Sequence, residues 1–425
     1  MKEQNLYQKT TLDNGLRVIT AAMPHTRSVS ICIFIGAGSR YETEPQAGVS
    51  HFIEHLLFKG TPRRTTAREI SVAIEGVGGI INAGTDKELT VYWCKIAQHH
   101  FPLALDVLAD ILLNSRFDPQ DIESERRIII EEINQGKDSP PQLVNMLIDE
   151  LLFPGHPLGR DVAGDKDSVA NISREMMLDY LARQYLPGNT VVSIAGALKP
   201  QEMITAVGQA LGNWADRQPR PGYQAYQEQP FPQLHIEKKD TEQAHLCLAL
   251  TGLSLLHPQR FVLDLLNVIL GEGMSSRLFT EIRDRLGLAY SIHSYVEHFL
   301  DTGSVTIYAG VEPRNLQVAI KAVLEQLSRL KEKVPEAELA KAKELSKGRL
   351  LLRMEESRSV SGWAGGQEVL TGRIFSVDQV MSIIDAITAE ELQHLAQELM
   401  VDSQLRLAVV GPVAKDELLE RLLKL

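Results

Sequence analysis

The sequence predicts an α+β protein of two related domains, each a mainly antiparallel sheet with helices packed on one face. Three observations lead there: the chain has 425 residues, four separated blocks recur at one constant offset, and predicted strands arrive in adjacent pairs. A single core stops growing beyond roughly 250–300 residues, so a chain of this length divides. Strands that are neighbours in sequence pair antiparallel and leave helices to one face.

The offset is 215. SICIFIGAG at 30–38 matches HLCLALTGL at 245–253, with Cys32 falling on Cys247. LTVYWCKI at 89–96 matches SVTIYAGV at 304–311, and the helical patterns at 97–112 and 312–327 keep the same register. ISREMMLDYLARQYLPGNTVVSIAG at 172–196 lies over ITAEELQHLAQELMVDSQLRLAVVG at 387–411, a helix then a strand ending in Gly196 or Gly411. Four blocks in one register mark two copies of one unit. The break between them is WADRQPRPGYQAYQEQPFPQ, 214–233, whose four prolines and many polar residues read as a linker. The expected domains are therefore 1–213 and 234–425.

Within the first copy, Asn14-Gly15 signals a hairpin turn. Thr66 and Glu69 form a capping box ahead of a helix near 67–77. Strands near 79–85 and 88–96 follow, then helices near 99–114, 119–136 and 141–152.

Hydrophobic residues at 44% and charged ones at 23% describe a globular protein. The net charge of −11 argues against general binding to nucleic acid or anionic membranes. MKEQNLYQKT carries no basic segment followed by an apolar one, and no apolar run approaches the ~20 residues of a membrane span. Cys32, Cys94 and Cys247 sit far apart in strand-like runs without a CxxC, which predicts buried free thiols in a reducing compartment. A cytoplasmic location is the expectation.

One stretch carries chemistry. In GVSHFIEHLLFKG, 48–60, His51 and His55 are four apart and share a helix face, so both imidazoles can reach one ion. Glu54 stands beside them, placed to take a proton from a polarised water and pass it to a leaving amine. The spacing H-x-x-E-H is the reversed zincin motif. A core helix carrying three satisfied polar residues is the plain alternative. Against it, adding 215 to the three positions lands on Leu266, Ile269 and Leu270, so the second copy builds this helix without polar residues.

Two histidines are too few, since a catalytic zinc takes three protein ligands and a water. PQDIESERRIIIEEINQG, which begins at Pro119, is rich in carboxylates. Glu125 and Glu132 lie seven apart on one face, whereas Glu123 and Glu131 point elsewhere and read as solvated. In the second copy Glu125 and Glu132 map to Ala340 and Lys347, so carboxylates and histidines vanish together. LGEGMSS lacks the GK[ST] ending of a phosphate loop, which excludes nucleotide binding there.

HFIEH followed by 76 residues and then Glu132 resembles the pitrilysin/insulinase (M16) family of zinc metallopeptidases, as do IESERRIIIEEI, HPLGRDVAG at 156–164, LGEGMSSRLF at 270–279 and LGLAYS at 286–291. The resemblance runs along nearly the whole chain and implies the LuxS/MPP-like metallohydrolase fold. It implies one zinc ion per chain held by His51, His55 and Glu132, Glu54 as general base, and Glu125 as an acidic residue supporting the site. It places Asn82 and Ala83 on an edge strand where the substrate adds as a further strand, although Gly84 departs from the bulkier residue often found there. It pairs Arg283 with Tyr290 as donors to the substrate carbonyl and oxyanion. The activity it implies is endopeptidase or oligopeptidase cleavage of unstructured peptides or presequences. Larger relatives carry four such domains, so a two-domain chain implies a homodimer with a shared chamber. Two other readings stay open: a non-catalytic structural or regulatory subunit of the same family, and an enzyme active only when paired with a motif-less sister.

Overall fold

The computed structural model describes residues 7–215, 222–228, 233–413 and 417–425. The first copy contains, in order, β1 (Gln8–Thr11), β2 (Arg17–Ala22), β3 (Ser28–Ile35), α1 (Val49–Leu57), α2 (Ala67–Glu75), β4 (Ile80–Thr85), β5 (Thr90–Ala97), α3 (Phe101–Asn114), α4 (Pro119–Asp138), α5 (Pro140–Leu152), α6 (Lys166–Asn171), α7 (Arg174–Gln184), β6 (Thr190–Gly196) and α8 (Pro200–Leu211). The second contains β7 (Leu234–Lys238), β8 (Ala244–Thr251), α9 (Arg260–Gly271), β9 (Ala289–His298), β10 (Gly303–Val311), α10 (Leu316–Leu330), α11 (Glu336–Arg353), α12 (Ser357–Thr371), α13 (Val377–Ala386), α14 (Ala389–Leu399), β11 (Arg406–Gly411) and α15 (Glu417–Leu422). Part of the expected linker, 216–221 and 229–232, lies outside the described residues.

Local signals in the sequence set several of these boundaries. Gly15 turns the chain between β1 and β2 at φ +84°, the left-handed region that Asn-Gly favours. Thr66 caps α2 by accepting from the Glu69 N–H, while the Glu69 carboxylate reaches back to the N–H of Thr65, one residue beyond the expected reciprocal partner.

Both sheets share one strand order over five strands, with β1 added at an edge of the first. The first runs β1-β2-β6-β3-β5-β4 and the second β7-β11-β8-β10-β9. All described pairings are antiparallel except β2 with β6 and β7 with β11. The register carries the repeat in its hydrogen bonds. Cys32 stands opposite Trp93 and Ser193, and Cys247 stands opposite Tyr308 and Ala408, each residue of the second set 215 positions after its counterpart.

The chain forms two compact units. One comprises Met1–Ile133, Asp161–Gln224 and Leu351–Ser376; the other comprises Asn134–Arg160, Ala225–Leu350 and Val377–Leu425. These depart from the contiguous halves 1–213 and 234–425 by an exchange. Helix α12, from the second half of the sequence, belongs to the first unit, and α5, from the first half, belongs to the second. The two helices are equivalents, each following the long helix of its copy.

The physical reason lies in the central strands, which are buried on both faces and so need cover on both. In the first unit one sheet face packs Ile31, Ile33, Tyr92 and Ile194 against α1 and α3. The other face packs Ile19, Cys32, Phe34 and Val191 against Ala364 of α12. Ser357, Ser361, Ala364 and Gly365 give α12 a face of small residues, so it lies close to the sheet. The Ser361 hydroxyl donates to Ser193 O at 2.7 Å, and Arg358 stacks 3.8 Å over the Trp93 ring. In the second unit, Val144, Ile148, Leu151 and Leu152 of α5 cover Cys247, Ala249, Ala408 and Val410. Side chains of this kind stabilise by about 1.5–3 kcal/mol each when fully buried. Most helices occupy one face of each sheet, and one helix closes the other.

Candidate metal centre

Helix α1 has only nine residues, too few to hold together alone in water. Packing holds it instead: Val49, Phe52, Ile53, Leu56 and Leu57 are at most 1% exposed and fill the first unit's core. Its first turn is fixed by two close backbone approaches. Gly48 takes φ +92°, and a Cβ there would lie 2.4 Å from the Ala163 carbonyl. Gly164, with φ +76°, meets the Ala47 carbonyl in the same way. The end of HPLGRDVAG therefore abuts the start of the histidine motif. The buried Glu42 carboxylate accepts from the N–H groups of Gly48 and Ser50, both at 2.8 Å, and from the Ser50 hydroxyl. That satisfies donors a helix start leaves open and sets a negative charge at the positive end of the helix dipole.

The face turned away from the core carries His51, Glu54 and His55. The two imidazole rings meet edge to face with centroids 4.6 Å apart. Oε2 of Glu132, on α4, lies 3.9 Å from His51 Nε2 and 3.7 Å from His55 Nε2. One atom from each of these three residues falls within 4.8 Å of the others. Glu125, one helical repeat earlier on α4, is buried and sits behind His55: its Oε2 is 3.1 Å from Nδ1, and its Oε1 is 2.5 Å from Lys59 Nζ. Nδ1 of His55 is thus engaged, which leaves Nε2 and its lone pair facing Glu132. Glu54 Oε2 accepts from the Thr85 hydroxyl at 2.6 Å.

The electrostatics follow from burial. Desolvation, with His55 adding to it, pushes His51 down to about 4, so its imidazole is neutral at pH 7 and available as a ligand. Burial raises Glu54 above the usual carboxylate range, and the Thr85 hydroxyl offsets part of that rise. Burial also acts to raise Glu125, but its bonds to His55 and Lys59 prevail and hold it below the usual range.

Two imidazole nitrogens and one carboxylate oxygen form a donor set suited to zinc. An ion ~2.1 Å from each donor in tetrahedral geometry needs donors about 3.4 Å apart. The separations of Nε2 atoms from Oε2, 3.7 and 3.9 Å, come within a few tenths of an ångström of that. The residues fit the metal.

The remaining expected residues fall as follows. Glu123 is exposed and paired with Arg126, and Glu131 is exposed. Asn82 and Ala83 lie on β4, which forms an edge of the first sheet and, among the described residues, pairs with β5 alone. The Asn82 Oδ1 accepts from the Ala83 N–H at 2.8 Å, and the side chain is exposed. Arg283 and Tyr290 belong to the second unit and come together there: the guanidinium carbon of Arg283 is 4.8 Å from the centre of the Tyr290 ring, which is 78% exposed. Two contributors escaped the reading of the sequence. Thr85 is 31 residues from Glu54, and its role depends on α1 packing against β4. Lys59 was within the motif, four residues after His55 and just past the end of α1, so its nearness to His55 was available from the sequence; its partner on α4 was not.

Comparisons with known proteins agree with this geometry. Residues 17–166 match the family model described as insulinase (peptidase family M16), and residues 171–346 match the one described as peptidase M16 inactive domain. An uncharacterized zinc protease of Bacillus subtilis is 35% identical over 412 residues, covering 96% of this chain and 98% of its own. Another from Mycobacterium leprae is 36% identical over 421 residues, covering 98% and 94%. Among solved structures, a protease from Helicobacter pylori superposes with a TM-score of 0.91 at 24% identity, covering 96% of this chain and 99% of that one. A peptidase M16 inactive domain from Pseudomonas fluorescens gives 0.88 at 19%, covering 96% and 99%. These last two likenesses concern the fold. With both family models and both relatives spanning the chain, the protein belongs to the M16 family of peptidases.

Proposed function

We propose that the chain is a zinc-dependent endopeptidase or oligopeptidase that cleaves extended, unstructured peptides. The observation that carries this reading is the convergence of His51, His55 and Glu132 with an acid, Glu54, held beside them. When bound, zinc supplies a Lewis acid for water and the scissile carbonyl. His51, His55 and Glu132 would hold it. Glu54 takes the proton of the attacking water and returns it to the leaving amine, a role favoured by a carboxyl group raised toward neutral pH. The unpaired side of β4, with Asn82 and Ala83, offers main-chain hydrogen bonds to an extended peptide, which supports selection by shape more than by side chain.

Several parts of the reading extend it. The presence of one metal-binding group among the described residues supports a homodimer in which Arg283 and Tyr290 of one subunit serve the metal site of the other. In that case Arg283→Ala and Glu54→Gln chains, each inactive alone, regain partial activity when mixed. Cys32, Cys94 and Cys247 are buried free thiols, which supports a reducing, cytoplasmic setting. No helix among the described residues is long and apolar enough to cross a membrane.

The test is the purified chain with a generic unfolded peptide, with and without chelator. Cleavage that chelator abolishes and zinc restores is the expected result. Glu54→Gln should keep its zinc and lose about 10²–10⁴-fold in rate. Bound zinc without any cleavage would favour dependence on a second, different subunit.

A further inference from the structure

Lys59 lies just past the last turn of α1, where a lysine would ordinarily trail into solvent. Here the backbone on both sides of it is pinned. The Leu57 carbonyl accepts from the Ser115 hydroxyl at 3.0 Å, the Gly60 carbonyl accepts from the Arg116 N–H at 3.1 Å, and the Thr61 hydroxyl donates to Asp110 at 2.8 Å. Arg64 also binds Asp110, so the segment following Lys59 is fastened to α3. The lysine side chain leaves from a fixed point and is 28% exposed.

Its ammonium reaches one oxygen of Glu125, and the other oxygen of that carboxylate engages Nδ1 of His55. The Glu125 side chain is only 5% exposed, so water cannot readily replace a missing partner. A carboxylate with two anchored oxygens has one orientation; with one oxygen released it can turn about its own axis and away from the imidazole. The ring of His55 is then free to rotate, and the direction of Nε2 toward Glu132 is no longer fixed.

We propose that Lys59 is a positioning residue of the metal centre: by holding Glu125, it orients the His55 ring for zinc. This rests on the zinc reading of the site, and it assigns Lys59 no contact with substrate or metal. Partners behind a metal-bound histidine typically change affinity about 10–100-fold when removed.

The test measures zinc affinity by competition with a chelator, the visible spectrum of the cobalt-substituted protein, and the melting temperature of the metal-free protein. Lys59→Met should weaken zinc about 10-fold and alter the cobalt ligand-field bands, with the metal-free melting temperature held within a few degrees. Glu125→Gln should weaken zinc as well, and adding Lys59→Met to it should cost little more, because the lysine acts through that carboxylate. Unchanged zinc affinity and spectrum in Lys59→Met overturn the proposal. So does an affinity loss that simply adds to that of Glu125→Gln. If zinc weakens as expected in a protein that cleaves no peptide, the proposal stands and the reading of the chain as a peptidase on its own falls. A wild-type chain that takes up no zinc or cobalt overturns both.

Discussion

The Thr85 hydroxyl donates to Oε2 of Glu54 at 2.6 Å, tying the acid of the histidine motif to the last residue of an edge strand. The carboxylate is thereby anchored to β4. Position along β4 and orientation of the proposed base become one geometric variable.

Removing that donor should therefore harm turnover more than binding. Hydrogen bonds to charged groups are worth about 1.5–3 kcal/mol, so Thr85→Val should lower kcat about 10–100-fold. KM and zinc content should stay within about twofold, and Thr85→Ser should retain most of the rate. Steady-state kinetics on an unfolded peptide, with metal analysis of each variant, decides it. A Ser variant as impaired as the Val variant would show that loss of the hydroxyl bond alone does not explain the effect.

Glu42 is buried and accepts from two backbone N–H groups at the start of α1. Glu42→Ala strands those donors in the core and removes the charge at the helix start. The expected cost is about 2–4 kcal/mol of stability, with Glu42→Gln milder because it keeps one acceptor. Urea denaturation of the metal-free protein measures it. A shift under about 0.5 kcal/mol would mean that water or another group replaces the cap.

How much of this was legible in the sequence depends on whether the relation lies within one helix or across the fold. His51, Glu54 and His55 were readable from spacing, because a helix places residues four apart on one face. The second copy strengthened the reading by carrying Leu266, Ile269 and Leu270 at those places. Pairing Glu132 with the histidines needed family resemblance, since nothing local to α4 points to α1. Thr85 stayed hidden for the same reason. The 215-residue register, seen in matched strands, reappears in the hydrogen-bond partners of Cys32 and Cys247. The exchange of α5 and α12 could not be read. A repeat identifies equivalent elements, but two sheets with equally apolar outer faces do not say which copy supplies each cover. The small-residue face of α12, Ser357, Ser361, Ala364 and Gly365, was a sign of close packing that periodicity in hydrophobicity alone overlooks.

That face makes a test of the exchanged helix. A Cβ on Gly365 would lie 2.4 and 2.6 Å from ring carbons of Phe34 and 2.8 Å from Ser193 Cβ. Gly362, on the same helix, has nothing within 4 Å of its added Cβ. Gly365→Ala should therefore destabilise by about 1–3 kcal/mol, while Gly362→Ala should stabilise by up to about 1 kcal/mol. Opposite shifts in the urea midpoint are expected. Similar shifts in both would place α12 away from β3 and β6.

The His298–Asp264 pair of the second unit makes its stability depend on pH. His298 presents Nδ1 to the Leu253 carbonyl at 2.6 Å and Nε2 to Asp264 at 3.1 Å. Two acceptors on one ring are both satisfied only by the doubly protonated imidazolium. Burial opposes that charge, but the hydrogen bond to Asp264, its charge and the Leu253 carbonyl together outweigh burial and raise the group above its ordinary value. A raised folded-state value means that the stabilisation is complete below the unfolded value of about 6.5 and disappears as pH climbs through the folded one. Asp264 is 47% exposed, so solvent screens the pair and the effect should stay near or below about 1 kcal/mol. The difference in unfolding free energy between wild type and Asp264→Asn should be largest near pH 5.5 and shrink toward pH 8.5. A difference that is flat across this range, or that grows with pH, would show that His298 folds as the neutral imidazole.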